Sequence, residues 1–411
     1  MDKTSLFGAS QIENFRASLD EASRETLKAA VSRIVEAKKR GGKVMVVTGS
    51  GPNIHEGVTT LIAELIRVGL VDAVSTSSAV ISHEMSGSLD RVFRVDANTL
   101  DAEGLFPEGT NMKSMPRGDL FEFTEMTDSE LDALRREMPL DEKLLKRGNE
   151  LPKVHTGVIK AAGNMAYPMG LRGERLALEI LSLSRIYGLP FEQVAGWGCD
   201  PHTMLGAADK RGVPVLVTIP QLVGGGMVGM SIGDSVPVSE RSMRVSRMLA
   251  SCDVIIESAV ALSQEIHDGP FECYTGHGIW ASWSGQSTYN LRDKSLVRID
   301  LDANLRRAVE LNKTVQEAID KGLPKTKVAN IPFRMEMSAF ARHEGSLPIV
   351  GDIGKVWPVI AHDAAKELGI ELEFLSASQD TPEGAKMREW IVDNVKPLDR
   401  NKMLARAKSY K

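Results

Sequence analysis

The run Val44-Met45-Val46-Val47 is followed at once by Gly49-Ser50-Gly51-Pro52-Asn53. A helical pattern from Gly57 to Gly69 and a second apolar stretch, Val71-Asp72-Ala73-Val74, come next. No other feature constrains the chain as much. A short, continuous apolar run suits a strand covered on both faces, and a helical crossover inside about 30 residues joins parallel neighbours. The segment from Lys43 to Glu84 therefore reads as strand, tight polar loop, helix and second strand of an α/β sheet, with the loop as a ligand-binding edge.

The same alternation continues. Apolar positions from Ile12 to Ile34 predict one amphipathic helix over residues 10–39, ended by Gly41-Gly42. Further on, helices are predicted at 171–187, 201–211 (Asp200 capping, Pro201 in the first turn), 239–251, 303–321, 355–367 and 382–394. Strands are predicted at Val213–Thr218, Val254–Glu257, Pro348–Val350 and Glu371–Leu375. This order implies a doubly wound, mostly parallel sheet with helices on both faces, a Rossmann-like architecture. We expect one elaborated domain over residues 1–411. Residues 96–153, charged and rich in Gly and Pro with a capping box at Thr127-x-x-Glu130, form a surface excursion, and 270–340 an insertion-like region near the site.

A hydrophobic fraction of 42% with 26% charged residues allows a large core, and a net charge of −5 gives no overall basic field for nucleic acid. The positive stretch Lys396–Lys411 reads as a solvated tail. No run reaches the roughly 20 apolar residues of a membrane span, the start lacks a secretory pattern, and three cysteines make no disulfide framework. The expectation is a soluble, cytoplasmic protein that takes a small-molecule substrate.

Ligands of open α/β sheets bind beyond the carboxyl ends of the strands, which singles out loops 48–57, 76–84, 219–231 and 351–355. Gly49 and Gly51 permit close backbone approach, and a following helix start suits phosphate. Gly224, Gly225, Gly226 and Gly229, interleaved with Met227 and Val228, read as backbone laid against a ligand or as a lid, against a plain flexible connection. His83-Glu84 is a candidate acid/base pair, with a structural histidine as its alternative. Cys199-x-x-His202 and Cys273-x-x-x-His277 offer four potential zinc ligands, although Asp200, Pro201 and Thr203 read equally as a helix start. Trp280, Trp283 and Tyr289 suit a stacking wall or, more simply, core or interface packing.

Four blocks in order resemble deoxyhypusine synthase: residues 49–57 through Leu70-Val71-Asp72 to Thr76-Ser77-Ser78; Gly163-Asn164-Met165-Ala166-Tyr167-Pro168; residues 212–227; and Val350-Gly351-Asp352-Ile353 through Pro358. The resemblance implies an NAD site and a homotetramer with shared active sites. Together with the loops above it yields a cofactor-lining set of Gly49, Ser50, Gly51, Asn53, Thr76, Ser77, Ser78, Gly224, Gly225, Asp352 and Ile353. It also yields a candidate catalytic set of Glu84, His83, Arg342 and His343. Where that family carries an imine-forming lysine, Met335–Leu347 holds Arg342 and His343 instead, and a guanidinium stays protonated. The carboxylates of the family's third block are replaced by glycines, so true deoxyhypusine synthesis is not expected. The resulting expectation is an NAD-binding transferase or oxidoreductase acting on a small substrate such as an amine. A non-catalytic nucleotide-binding protein and a zinc-assisted hydrolase are its alternatives.

Overall fold

The computed structural model describes residues 9–49, 52–87, 89, 92–96, 120–125, 132, 135, 142, 146, 157–161, 166–219, 229, 231–232, 238–259, 291, 293–323 and 343–410. Two helices, α1 (Ala9–Ala17) and α2 (Glu21–Lys39), lead into β1 (Val44–Thr48), every residue of which is buried. The predicted single helix over 10–39 breaks because the Asp20 carboxylate accepts the Ser23 N–H (2.7 Å) and starts a new helix there. After β1 come a four-residue turn of helix, α3 (Pro52–His55), then α4 (Val58–Arg67), β2 (Ala73–Ser77) and α5 (Ser78–Met85). The chain turns between α3 and α4 at Gly57, whose φ of 67° is one that glycine adopts without strain. Strand β2 runs further than predicted, and residues 78–85 are helix where a loop is predicted.

Three strands, β3 (Val92–Asp96), β4 (Leu120–Glu125) and β5 (Gly157–Ala161), form a separate antiparallel sheet in that order. The predicted excursion thus contains at least one strand; its capping box lies outside the described residues. The α/β alternation resumes with α6 (Ala166–Tyr187), α7 (Phe191–Gly196), α8 (Met204–Arg211), β6 (Val215–Ile219), α9 (Val238–Ala250), β7 (Val254–Ser258) and β8 (Ser295–Asp300). Then follow α10 (Asn304–Glu310), α11 (Asn312–Asp320), β9 (Ser346–Val350), α12 (Ile353–Leu368), α13 (Pro382–Asn394) and α14 (Arg400–Ser409).

The main sheet has six strands in the order β6-β2-β1-β7-β8-β9, and every pairing is parallel. The chain starts in the middle, builds outward through β2 and β6, then returns to the other side of β1 and builds outward through β7, β8 and β9. This is the strand order 3-2-1-4-5-6 of the doubly wound dinucleotide-binding fold. Its topological switch point lies between β1 and β7. One face of the sheet packs Val44, Val46, Val74, Ile256, Val297 and Ile349 against α2, α4 and α12. The other packs Met45, Val47, Ile255 and Leu296 against Val245, Met248 and Leu249 of α9.

Two terminal expectations are corrected. Glu371–Leu375 is not a strand: Phe374 and Leu375 are buried, but the Glu373 N–H is taken by the Glu64 carboxylate (2.6 Å) instead of a neighbouring strand. The tail is not simply solvated, since residues 400–409 are helical and bury Met403 and Ala407 beside Trp197 and Tyr187. The Tyr187 hydroxyl donates to the Ala407 carbonyl (2.7 Å). No described helix is long and apolar enough to cross a membrane.

Candidate functional site

Parallel strands end together, so the carboxyl edge of the main sheet lines up the last residues of its central strands. In register, Thr76 of β2 stands beside Thr48 of β1, and Thr48 beside Ser258 of β7. Alternation puts all three on one face, giving a row of hydroxyl residues across the switch point, each wholly buried. On the opposite face, one step back from the edge, Glu257 of β7 and Arg298 of β8 stand side by side as a fully buried ion pair (Nε to Oε2, 2.9 Å). Just past β7 the backbone of Ala259 takes a φ of 57°, a left-handed conformation costly for a residue with a Cβ.

Asn53, in α3 directly after the first loop, closes over this row. Trp357 Nε1 on α12 donates to Ser258 Oγ (2.8 Å), and the Ser258 hydroxyl in turn donates to Asn53 Oδ1. Asn53 is fully buried, and its Nδ2 has no hydrogen-bond partner among the described residues. The hydroxyl of Ser77, at the end of β2, is buried and without a partner there as well. Two buried, unpartnered polar atoms thus lie at the carboxyl edge of the β1–β2 unit.

One turn beyond Asn53, the Glu56 carboxylate accepts the Gln379 N–H (2.7 Å) and the Gln379 side-chain amide (2.6 Å). Burial pushes its pKa up, the two bonds from Gln379 oppose that, and the charges of Asp352 and Asp380 add to the rise. The carboxylate lies against the first turn of α12 at Gly354, where a Cβ would overlap it and stand 2.8 Å from Ser378 Cα.

The sequence-selected residues separate into distinct places. Asn53, Thr76 and Ser77, with Gly49 immediately after β1, do gather at the carboxyl edge, and Ser78 opens α5 there. Ser50, Gly51, Gly224, Gly225 and Arg342 lie outside the described residues, as do Cys273, His277, Trp280, Trp283 and Tyr289. Asp352 is the N-cap of α12: one oxygen accepts the Gly354 N–H (2.9 Å) and the other the Ser378 hydroxyl (2.9 Å), with Ile353 buried behind it. Ser258, Trp357 and Glu56 were not selected from sequence. A serine ending a strand and an indole inside a helix carry no spacing signal, and only the fold brings them onto Asn53.

Glu84 is buried within α5, and its two oxygens accept the backbone N–H groups of Met204 (2.7 Å) and Leu205 (3.0 Å). With Thr203 Oγ1 accepting from Gly206 N (3.0 Å), these bonds satisfy the first turn of α8. The helix therefore begins at Met204 and not at the predicted position 201, where Asp200 instead accepts the His202 N–H (2.9 Å). Burial pushes the Glu84 pKa up to about 8 against the opposing pull of the two N–H bonds. His83, its neighbour, is buried too, but successive helical side chains point about 100° apart. His343 sits at the amino end of β9, the edge away from the crevice. There Nδ1 accepts from Gly345 N (2.9 Å) and Nε2 donates to the Leu291 carbonyl (2.6 Å), and burial lowers its pKa. It is a neutral, doubly bonded imidazole that stitches the starts of β8 and β9.

The zinc reading gains nothing from the first Cys–His pair. Burial raises the Cys199 thiol well above its usual range, the reverse of what a metal thiolate needs, and His202 Nδ1 is paired with Asp200 (2.8 Å). Among the described residues no group of three or more His, Cys, Asp or Glu is placed to hold a metal ion.

No family model matches the chain. Among curated proteins it is similar to an ornithine cyclodeaminase of Methanothermobacter thermautotrophicus, with 38% identity over 64 residues, which is 16% of this chain and only 15% of that relative. Among solved structures it is similar to AgrE in a ternary complex with ornithine and NAD+ (14% identity, TM-score 0.38, covering 85% of this chain and 34% of that one). A LOR/SDH protein of Methanococcus maripaludis S2 is another (11% identity, TM-score 0.39, covering 90% and 71%). These findings overturn the deoxyhypusine synthase resemblance: the curated sequence match is to an ornithine cyclodeaminase. Roles drawn from the four blocks stand only where the geometry above supports them. What is established is a Rossmann-like α/β protein whose six-stranded parallel sheet carries a row of buried hydroxyl residues across its switch point.

Proposed function

We propose that the chain is an NAD-dependent enzyme acting on a small amino acid of the ornithine type. The strand order and the orphaned amide at its switch point carry this reading, because a 3-2-1-4-5-6 sheet takes dinucleotides across that crevice. The 64-residue similarity to an ornithine cyclodeaminase supports the substrate class. Bound there, NAD would supply a hydride acceptor for the carbon that carries the substrate's amine.

The residues present fit such a cofactor. Gly49 follows β1 at the turn where a phosphate would pass, Asn53 offers an unanswered amide, and the end of β2 brings hydroxyl residues Thr76, Ser77 and Ser78 to the same edge. Dinucleotide sites of this fold place an acidic residue near the end of the second strand to hold the adenosine ribose. Here hydroxyls alone stand at that position, so the ribose contact would be neutral. Glu56, its pKa raised, is the carboxyl group best placed among the described residues to hold a proton beside the crevice.

The decisive measurement is twofold. Calorimetry with NAD should show binding of the full chain, and incubation with ornithine and NAD should release ammonia. Absence of any NAD binding sinks the reading; binding without turnover of ornithine leaves a nucleotide-binding protein in its place.

A further inference from the structure

Resting on that reading, we propose that Trp357, Ser258 and Asn53 form a directional hydrogen-bond relay whose open end, the Asn53 amide N–H2, receives a phosphate oxygen of the dinucleotide. The direction follows from what each group can do. An indole N–H only donates, so Ser258 Oγ must accept from Trp357. Ser258 gives its one hydrogen to Asn53 Oδ1, which leaves the amide N–H2 as the end of the chain of bonds. A residue on α12, far along the chain, is thus tied through Ser258 to the asparagine in the first βα turn.

The rest of the geometry says what the open end meets. Asn53 is fully buried, so its two N–H groups have given up water, and Nδ2 has no partner among the described residues. It lies in the turn after β1, over which the pyrophosphate of a dinucleotide runs in this strand order. The turn Pro52–His55 is only four residues long, and α4 begins at Val58 with no side-chain cap. The amide therefore supplies a charge-assisted donor where a longer helix would offer a row of backbone N–H groups. Asn53 would touch the cofactor; Ser258 and Trp357 act through it as positioning residues.

Isothermal titration of NAD and of ADP-ribose into the full-length wild type, Asn53→Ala, Asn53→Asp, Ser258→Ala and the Asn53→Ala/Ser258→Ala pair tests this, with unliganded thermal stability measured in parallel. Losing a charge-assisted bond should weaken NAD binding about tenfold or more in both Asn53 variants, and equally for ADP-ribose, which keeps the pyrophosphate without the nicotinamide. Ser258→Ala should weaken binding by about threefold or more. In the double variant it should add nothing to Asn53→Ala, because the relay then has no end to orient. Asn53→Asp keeps the oxygen facing Ser258 and decides the matter should Asn53→Ala fail to fold. Wild-type affinity in the Asn53 variants, a loss for NAD that spares ADP-ribose, or additive effects of the two substitutions would each overturn the relay. Failure of the wild type itself to bind NAD is a different result and would overturn the functional reading on which the relay rests.

Discussion

Glu84, a candidate acid from the sequence, accepts the first N–H groups of α8 with both carboxylate oxygens. Its pKa of about 8 arises because burial penalises the charged form more than two backbone N–H donors reward it. For an acid whose folded pKa is raised, the folded state holds the proton more tightly. The stabilising contribution is therefore complete below the unfolded value of 4.5 and is lost as pH rises through about 8. Across that window the stability of the wild type should fall with a slope of at most about 1.4 kcal/mol per pH unit from this group. Glu84→Gln has no proton to lose, but it turns one of the two acceptors into a donor facing a backbone N–H. It should be less stable than wild type near pH 5 by about 1–2 kcal/mol, and the gap should close toward pH 8. Urea unfolding at both pH values measures this, and a gap that widens with pH would refute the assignment. The residue type and its place after a strand were legible in the sequence. Its partners Met204 and Leu205, 120 and 121 positions away, were not, since no local pattern ties a carboxylate to a distant helix start.

At the scale of elements, the parallel strands were legible because burial on both faces leaves continuous apolar runs such as Val44–Val47, and the helices between them because of their caps and period. The misses have local causes. Asp20 and Leu311 divide helices whose apolar pattern continues across the break, and the Glu373 amide is claimed by Glu64, which ends a strand that composition alone would allow. Within the sheet the informative exception is the pair Glu257–Arg298, charged residues in strands that otherwise read as apolar. Both are fully buried, so their mutual attraction mainly offsets the cost of removing them from water. Glu257→Gln should accordingly destabilise the protein by about 3–5 kcal/mol, because it removes the buried charge that faces the Arg298 guanidinium. Replacing both by methionine should cost much less than the sum of the single changes. Denaturant midpoints of Glu257→Met, Arg298→Met and the double give the coupling; additive losses would mean that the two charges do not depend on each other.

For the whole molecule, the order of strands rather than any motif locates the site. Gly49 to Asn53 was visible as a loop, but its worth depended on β7 returning to lie beside β1, a long-range pairing that short blocks of sequence cannot show and that led the resemblance astray. With the switch point between β1 and β7, a dinucleotide bound across it would touch both halves of the sheet, β6-β2-β1 on one side and β7-β8-β9 on the other. Ligand that binds only the folded state stabilises it by about 2.7 kcal/mol at a hundred times its dissociation constant, and a ligand at the switch point must share that gain between the halves. Amide hydrogen exchange with saturating NAD should therefore slow in Val74–Ser77 of β2 and in Ile255–Ser258 of β7 together. Residues 343–346, at the amino edge beside His343, should change less than either strand end, because they lie across the sheet from the crevice. Protection confined to one half, or greatest at the amino edge, would place the cofactor somewhere other than the switch point.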